Sequence, residues 1–149
     1  MKKNELCFKI AGLAGEGINV SALTLAKAFT RNGFNAFLLT ENPNSIKLEH
    51  TWCSLRISED KIYSQVNEVD ILVCFNKESI LKRQNEVIND GYVLFDGETI
   101  KLDDKEKRNN ANYISIPFAK IIKELNIPIL LKNTIAIGAC FGLVDYDLK

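Results

Sequence analysis

Apolar positions along this chain fall into short runs separated by polar turns, and the runs alternate between strand-like and helical spacing. Leu6-Cys7-Phe8-Lys9-Ile10 reads as a short buried strand, ending in Ala11-Gly12-Leu13-Ala14-Gly15-Glu16-Gly17. Beyond the glycines, Ile18, Leu23, Leu25, Ala26 and Phe29 recur at helical spacing, and Arg31-Asn32-Gly33 supplies a stop, with Gly33 suited to a left-handed cap. Asn35-Ala36-Phe37-Leu38-Leu39-Thr40 is the next strand, and Glu41-Asn42-Pro43-Asn44-Ser45 a polar loop in which the proline excludes regular structure. Two short runs, Trp52 to Ile57 and Lys61 to Ser64, flank Ser58-Glu59-Asp60 and predict a hairpin.

Val69 to Phe75 is the most continuous apolar strand, as expected of a strand buried on both faces. A helix over Glu78 to Ile88 follows, then a strand from Gly91 to Asp96. The charged, asparagine-rich stretch Lys101 to Asn110 reads as a solvated loop. Asn112 to Pro117 is a strand closed by its proline, Phe118 to Leu125 a helix, and Ile129 to Leu143 a final apolar helix. This alternation predicts a three-layer α/β/α domain with a mainly parallel sheet and a hairpin inserted at one edge.

Composition narrows the function. At 149 residues and 46% hydrophobic, the chain makes a single domain with a sizeable core. Nineteen basic residues balance nineteen acidic ones, which argues against a nucleic acid or an anionic membrane as partner. The chain has no apolar run of membrane-spanning length and no signal peptide at its start, so a cytoplasmic location is expected. Cys7, Cys53, Cys74 and Cys140 are scattered through apolar stretches, the setting of reduced buried thiols rather than of zinc or a cluster, so no metal site is expected here.

The sharpest candidate for chemistry is Gly12-Leu13-Ala14-Gly15-Glu16-Gly17, between the first strand and the first helix. Such a loop lets a ligand approach the backbone and offers it the unpaired N–H groups of a helix start. No Lys-Ser/Thr follows the glycines, and their order is G-x-x-G-x-G, so neither the Walker nor the dinucleotide pattern is met. Glu41, 24 residues beyond Gly17, nevertheless lies where a ribose-binding carboxylate would fall. A phosphate-bearing ligand, a partner surface and a ligand-free turn therefore all stay open. His50, the only histidine, reads as a surface or half-buried residue. Asp70 and Asp96 have ordinary roles at strand ends, and no catalytic pair, triad or metal cluster emerges.

Ala11 to Ile18, with the helix Ser21 to Ala28, resembles the gamma domain of 2-oxoacid:ferredoxin oxidoreductases, which act on pyruvate, 2-oxoglutarate, branched-chain 2-oxoacids or indolepyruvate. The likeness continues through Thr40 to Ser45, Ser54 to Ser58, Ile62 to Ser64 and Val69 to Val73, and returns at Asn133 to Ala139. The resemblance implies a component of a larger complex that oxidatively decarboxylates a 2-oxoacid to an acyl-CoA and passes electrons to ferredoxin. Thiamine diphosphate and iron–sulfur clusters would sit on partner domains or subunits, with no catalytic residue on this chain and coenzyme A contacted by it. It further implies that Gly12, Gly15 and Gly17 shape the loop facing the shared site, with Glu41, Pro43 and Ser45 on the neighbouring loop and Asn133 starting the last helix nearby. Where the family usually shows Arg-Gly-Gly-His, this chain has Lys47-Leu48-Glu49-His50, which alters how closely an anionic ligand can approach. The family's gamma domain also runs on past the helix ending here near Leu143, which predicts a trimmed chain or part of a longer fused subunit. A stand-alone nucleotide-binding module and a divergent non-catalytic interaction domain are the alternatives.

Overall fold

The computed structural model describes residues 4–41 and 50–144. Its strands are β1 (Glu5–Leu13), β2 (Asn35–Glu41), β3 (His50–Ser58), β4 (Val69–Cys74), β5 (Val87–Asp96) and β6 (Asn112–Ile116). Its helices are α1 (Ile18–Arg31), α2 (Lys77–Arg83), α3 (Phe118–Leu125) and α4 (Lys132–Val144), with single 3₁₀ turns at Gln84–Glu86, Asp104–Glu106 and Ile129–Leu131. The strands form one sheet in the order β2-β3-β1-β4-β5-β6. β1, β4, β5 and β6 pair in parallel, while β3 is antiparallel to both β1 and β2.

Alternation along each strand sorts the core into two layers. Phe8 and Ile10 of β1, Leu55 and Ile57 of β3, and Ile71 and Val73 of β4 face α1, α3 and α4. Phe29 of α1 is the centre of this layer, its ring 5.7 Å from Phe8 and 5.1 Å from Phe141 of α4. Each such buried ring contributes about 1.5–3 kcal/mol. On the other face Ala11, Leu72, Cys74, Val93 and Phe95 pack under Ile80 of α2 and Ile100. The expected three-layer α/β/α domain is thus observed.

Several details differ from expectation. Lys61 to Ser64 forms no strand, and Tyr63 is 81% exposed. The hairpin partner of β3 is β2, whose Ala36 and Leu38 register against Ile57 and Leu55 and bury beneath α1, which Lys61-Ile62-Tyr63-Ser64 has too few apolar residues to match. Gln65 instead ties its segment to the sheet through the carbonyls of Phe37 and Ser54. In α1 the inward position belongs to Ala22, and Leu23 points outward, 45% exposed.

The helix expected over Glu78 to Ile88 stops at Arg83, and β5 begins at Val87. The Arg108 guanidinium donates to the carbonyls of Gln84 and Val87, and the Gln84 carbonyl is the acceptor that the Ile88 N–H of a continuing helix would need. Its stretch, Lys101 to Asn110, is therefore partly a cover: Leu102 packs beneath it on the second layer and Asp103 with Glu106 forms a capping box. All four cysteines are buried, and none is in a disulfide. Burial pushes the Cys74 thiol far up and Cys140 up to about 12. Among the described residues no helix is long and apolar enough to cross a membrane.

Candidate functional site

From β1 the chain crosses through α1 to β2 on one side and resumes at β4 on the other, so the strand order reverses between β1 and β4. In open α/β sheets the crevice outside the carboxyl ends of such strands is where ligands bind. The glycine loop borders this crevice. β1 runs three residues past Ile10, so Ala11, Gly12 and Leu13 are still strand, with Gly12 paired to Thr51 and Leu13 to His50. Ala14 and Gly15 form the exposed tip, and Gly15 at φ +92° and Gly17 at φ +76° take the left-handed backbone that turns the chain into α1.

Each glycine does something different. A Cβ on Gly12 would lie 2.6 Å from Glu16 Oε2 and 2.7 Å from Ile18 Cδ1, so its absence lets the Glu16 carboxylate fold back under the loop. There Glu16 Oε2 accepts from the Leu13 N–H at 2.6 Å and from Asn76 Nδ2 at 3.3 Å. Gly15 meets nothing and leaves the tip open. Gly17 presses against the Asn133 side-chain amide, and its place would admit no side chain.

Asn133, the second residue of α4, donates from Nδ2 to the Glu16 carbonyl at 3.0 Å. This bond fastens the start of α4 to the start of α1. The price is the Asn133 Oδ1, buried without a hydrogen-bond partner among the described residues, a cost of about 1–3 kcal/mol. α1 begins without a side-chain cap or an acidic residue in its first turn. Its leading N–H groups are therefore left for an incoming anion. An open groove of about 290 Å³ runs along this turn, lined by Leu13, Ala14, Gly15, Gly17, Val20 and Thr51.

His50 closes the circuit on the other side. Opposite Leu13, its Nε2 lies 2.7 Å from Glu78 Oε1 and its Nδ1 3.2 Å from Ser79 Oγ, while the Ser79 N–H donates to Asn76 Oδ1. Hydrogen bonds from Lys82 and then from His50 hold the Glu78 carboxyl below its ordinary range. His50 is thus a brace between β3 and α2, and Ser79, which is buried, offers no nucleophile.

The structure brings Gly12, Gly15, Gly17 and Asn133 together. It sets Glu41 apart, because Glu41 pairs with Trp52 and Trp52 with Ala11, two strand spacings or about 10 Å away. With Trp52 it shares the sheet face turned away from α1. Pro43, Ser45 and Lys47 to Glu49 lie outside the described residues. Sequence reading passed over Glu16, Asn76 and Lys132. The first two join only through the fold, and Lys132 comes to this edge from the far end of the chain, its ammonium 5.6 Å from the Phe75 ring centroid. Among the described residues, no group of three or more His, Cys, Asp or Glu is arranged to hold a metal ion.

This geometry sits on a recognisable sequence. Residues 7–149 match the family model for pyruvate ferredoxin/flavodoxin oxidoreductase. The chain belongs to this family. It is 31% identical over 121 residues to ketoisovalerate oxidoreductase subunit VorA of Methanothermobacter marburgensis, covering 80% of this chain and 25% of VorA. It is 28% identical over 142 residues to 2-oxoglutarate synthase subunit KorC of Archaeoglobus fulgidus, covering 94% of this chain and 71% of KorC. Among solved structures, the 2-oxoglutarate:ferredoxin oxidoreductase of Magnetococcus marinus, with 2-oxoglutarate, coenzyme A and succinyl-CoA bound, superposes with a TM-score of 0.83 at 25% identity. That match covers 99% of this chain and 25% of the other. The chain therefore spans only a quarter of the VorA and Magnetococcus chains, while it matches most of a KorC subunit.

Proposed function

We propose that this chain is the gamma-type component of a 2-oxoacid:ferredoxin oxidoreductase, and that its glycine-loop groove seats coenzyme A beside a reaction centre built by partner domains or subunits. The observation that carries this reading is the uncapped first turn of α1 behind the open tip at Gly15. Backbone N–H groups and a helix dipole worth about half a positive charge suit a phosphate-bearing ligand. The groove walls from Leu13 and Val20 suit the ligand's apolar stretches. The family relationship and the coenzyme A bound in the Magnetococcus enzyme support the choice of ligand.

In this reading thiamine diphosphate and iron–sulfur clusters on the partners supply decarboxylation and electron transfer when bound. The residues of this chain bind and orient. Gly15 and Gly17 give the ligand access to the α1 N–H groups, Asn133 holds the loop in place through the Glu16 carbonyl, and Thr51 with Leu13 forms the wall nearest the sheet. Cytoplasmic location and ferredoxin as eventual acceptor belong to the same proposal.

The test is calorimetric titration of coenzyme A into the purified complex carrying wild-type or Gly15→Val chain. Valine disfavours φ +92°, so affinity should fall about tenfold or more while the complex still assembles. Equal affinity in both complexes, or full activity in a complex stripped of this chain, overturns the reading. NAD and ATP titrated alongside check the nucleotide-module alternative, which the remoteness of Glu41 from the loop disfavours.

A further inference from the structure

The glycine loop contains no cation, yet a phosphate-bearing ligand carries several negative charges. Partial charges at helix starts offset only part of that. The basic side chains of β1 and α2 are already committed to carboxylates. Lys9 and Arg83 pair with Glu86, Lys82 with Glu78, and Lys77 with Glu106.

Lys132 differs. Among the described residues it pairs with no carboxylate, and it is half-buried at the start of α4. Its neighbour Asn133 fastens that helix start to the Glu16 carbonyl, which fixes where the lysine stem begins. The ammonium lies 5.6 Å from the Phe75 ring centroid. Phe75 follows β4 directly, its N–H donates to the Ala11 carbonyl at 3.0 Å, and its Cβ lies 3.4 Å from where a Cβ on Gly12 would stand. Lys132 therefore hangs over the carboxyl ends of β1 and β4, where the strand order reverses. Among the described residues no ion pair joins Lys132 to the Glu16 carboxylate, which is turned under the loop onto the Leu13 N–H.

We propose that Lys132 is the cationic contact for a phosphate group of the ligand held at the glycine loop. This rests on the coenzyme A reading above and adds a residue to it. The attraction to the Phe75 ring parks the ammonium without neutralising it. A charge-assisted bond to phosphate outweighs that.

The experiment titrates coenzyme A and, separately, phosphate-free pantetheine into the purified complex with wild-type, Lys132→Gln or Lys132→Arg chain. Lys132→Gln should weaken coenzyme A about tenfold and flatten its dependence on salt, leave pantetheine unchanged, and keep the thermal midpoint of the complex. Lys132→Arg should restore most of the affinity. If the wild-type complex binds coenzyme A and Lys132→Gln binds it equally well, the role of Lys132 is overturned alone. An equal loss for pantetheine overturns it too, because the residue would then act on the shape of the groove. A wild-type complex that does not bind coenzyme A at all overturns the reading of the site together with Lys132.

Discussion

Gly17 carries two constraints at once: a φ of +76° and the Asn133 amide against its Cα. Gly17→Ala should therefore lose the left-handed preference, about 1–2 kcal/mol, and also dislodge the Asn133 bond, about 1 kcal/mol more. Gly15 has the first constraint and open space around it, so Gly15→Ala should cost only the backbone part. Urea denaturation of the two variants checks this ordering, and equal losses would mean that Asn133 does not hold the loop. Part of this was legible beforehand. Glycines between a strand and a helix announce a turn with exposed backbone, and the resemblance pointed to Asn133. Glu16 was not legible, because a charged residue at a loop tip reads as solvated, and only the missing Cβ at Gly12 reveals that it folds inward.

At the scale of elements, α2 and its 3₁₀ extension are held to the sheet by charges as much as by Ile80. Lys9 of β1, buried beneath them, pairs with Glu86, and Arg83 both pairs with Glu86 and stacks 3.5 Å from the Trp52 ring centroid. Burial alone would raise the Glu86 carboxyl, but hydrogen bonds from Lys9 and Arg83 outweigh it and hold the group below its ordinary range. A carboxyl depressed on folding stabilises above its unfolded value, near 4.5, and that contribution fades as pH falls through the folded value. Glu86→Gln should thus cost about 2–3 kcal/mol at pH 7, below the full cost of breaking a buried pair because Glu86 is a quarter exposed. The gap to wild type should narrow below about pH 4.5, as thermal melts across pH would record. A gap constant from pH 7 to pH 3 would place the effect in packing instead. Sequence periodicity erred at this same element, extending the helix to Ile88, since nothing local to residues 84–88 shows that Arg108 will claim their carbonyls.

For the whole molecule, the alternation of strands and helices was enough to read the three layers and the parallel core, because each apolar run had the length and period of the element it became. The partner of β3 was misread, since nearness along the chain suggested Lys61 to Ser64, whereas the apolar content of β2 decided the pairing. From the residues themselves the candidate site was readable only in its first half, and Asn133 came from the resemblance. Its second half arrives with α4, and the bond that completes it joins residues 117 apart in sequence. A loop fastened to a residue this far along the chain reports on the docking of α4. Whatever ligand prefers the finished loop must, by reciprocity, tighten α4 against α1, and whatever loosens α4 must weaken the ligand. Amide exchange in the first turns of α4 should therefore slow when coenzyme A is added to the complex, with little change in β5 and β6. Protein synthesis meets the same dependence in time. The glycine loop leaves the ribosome before α4 does, yet the bond that anchors it forms only once α4 has followed.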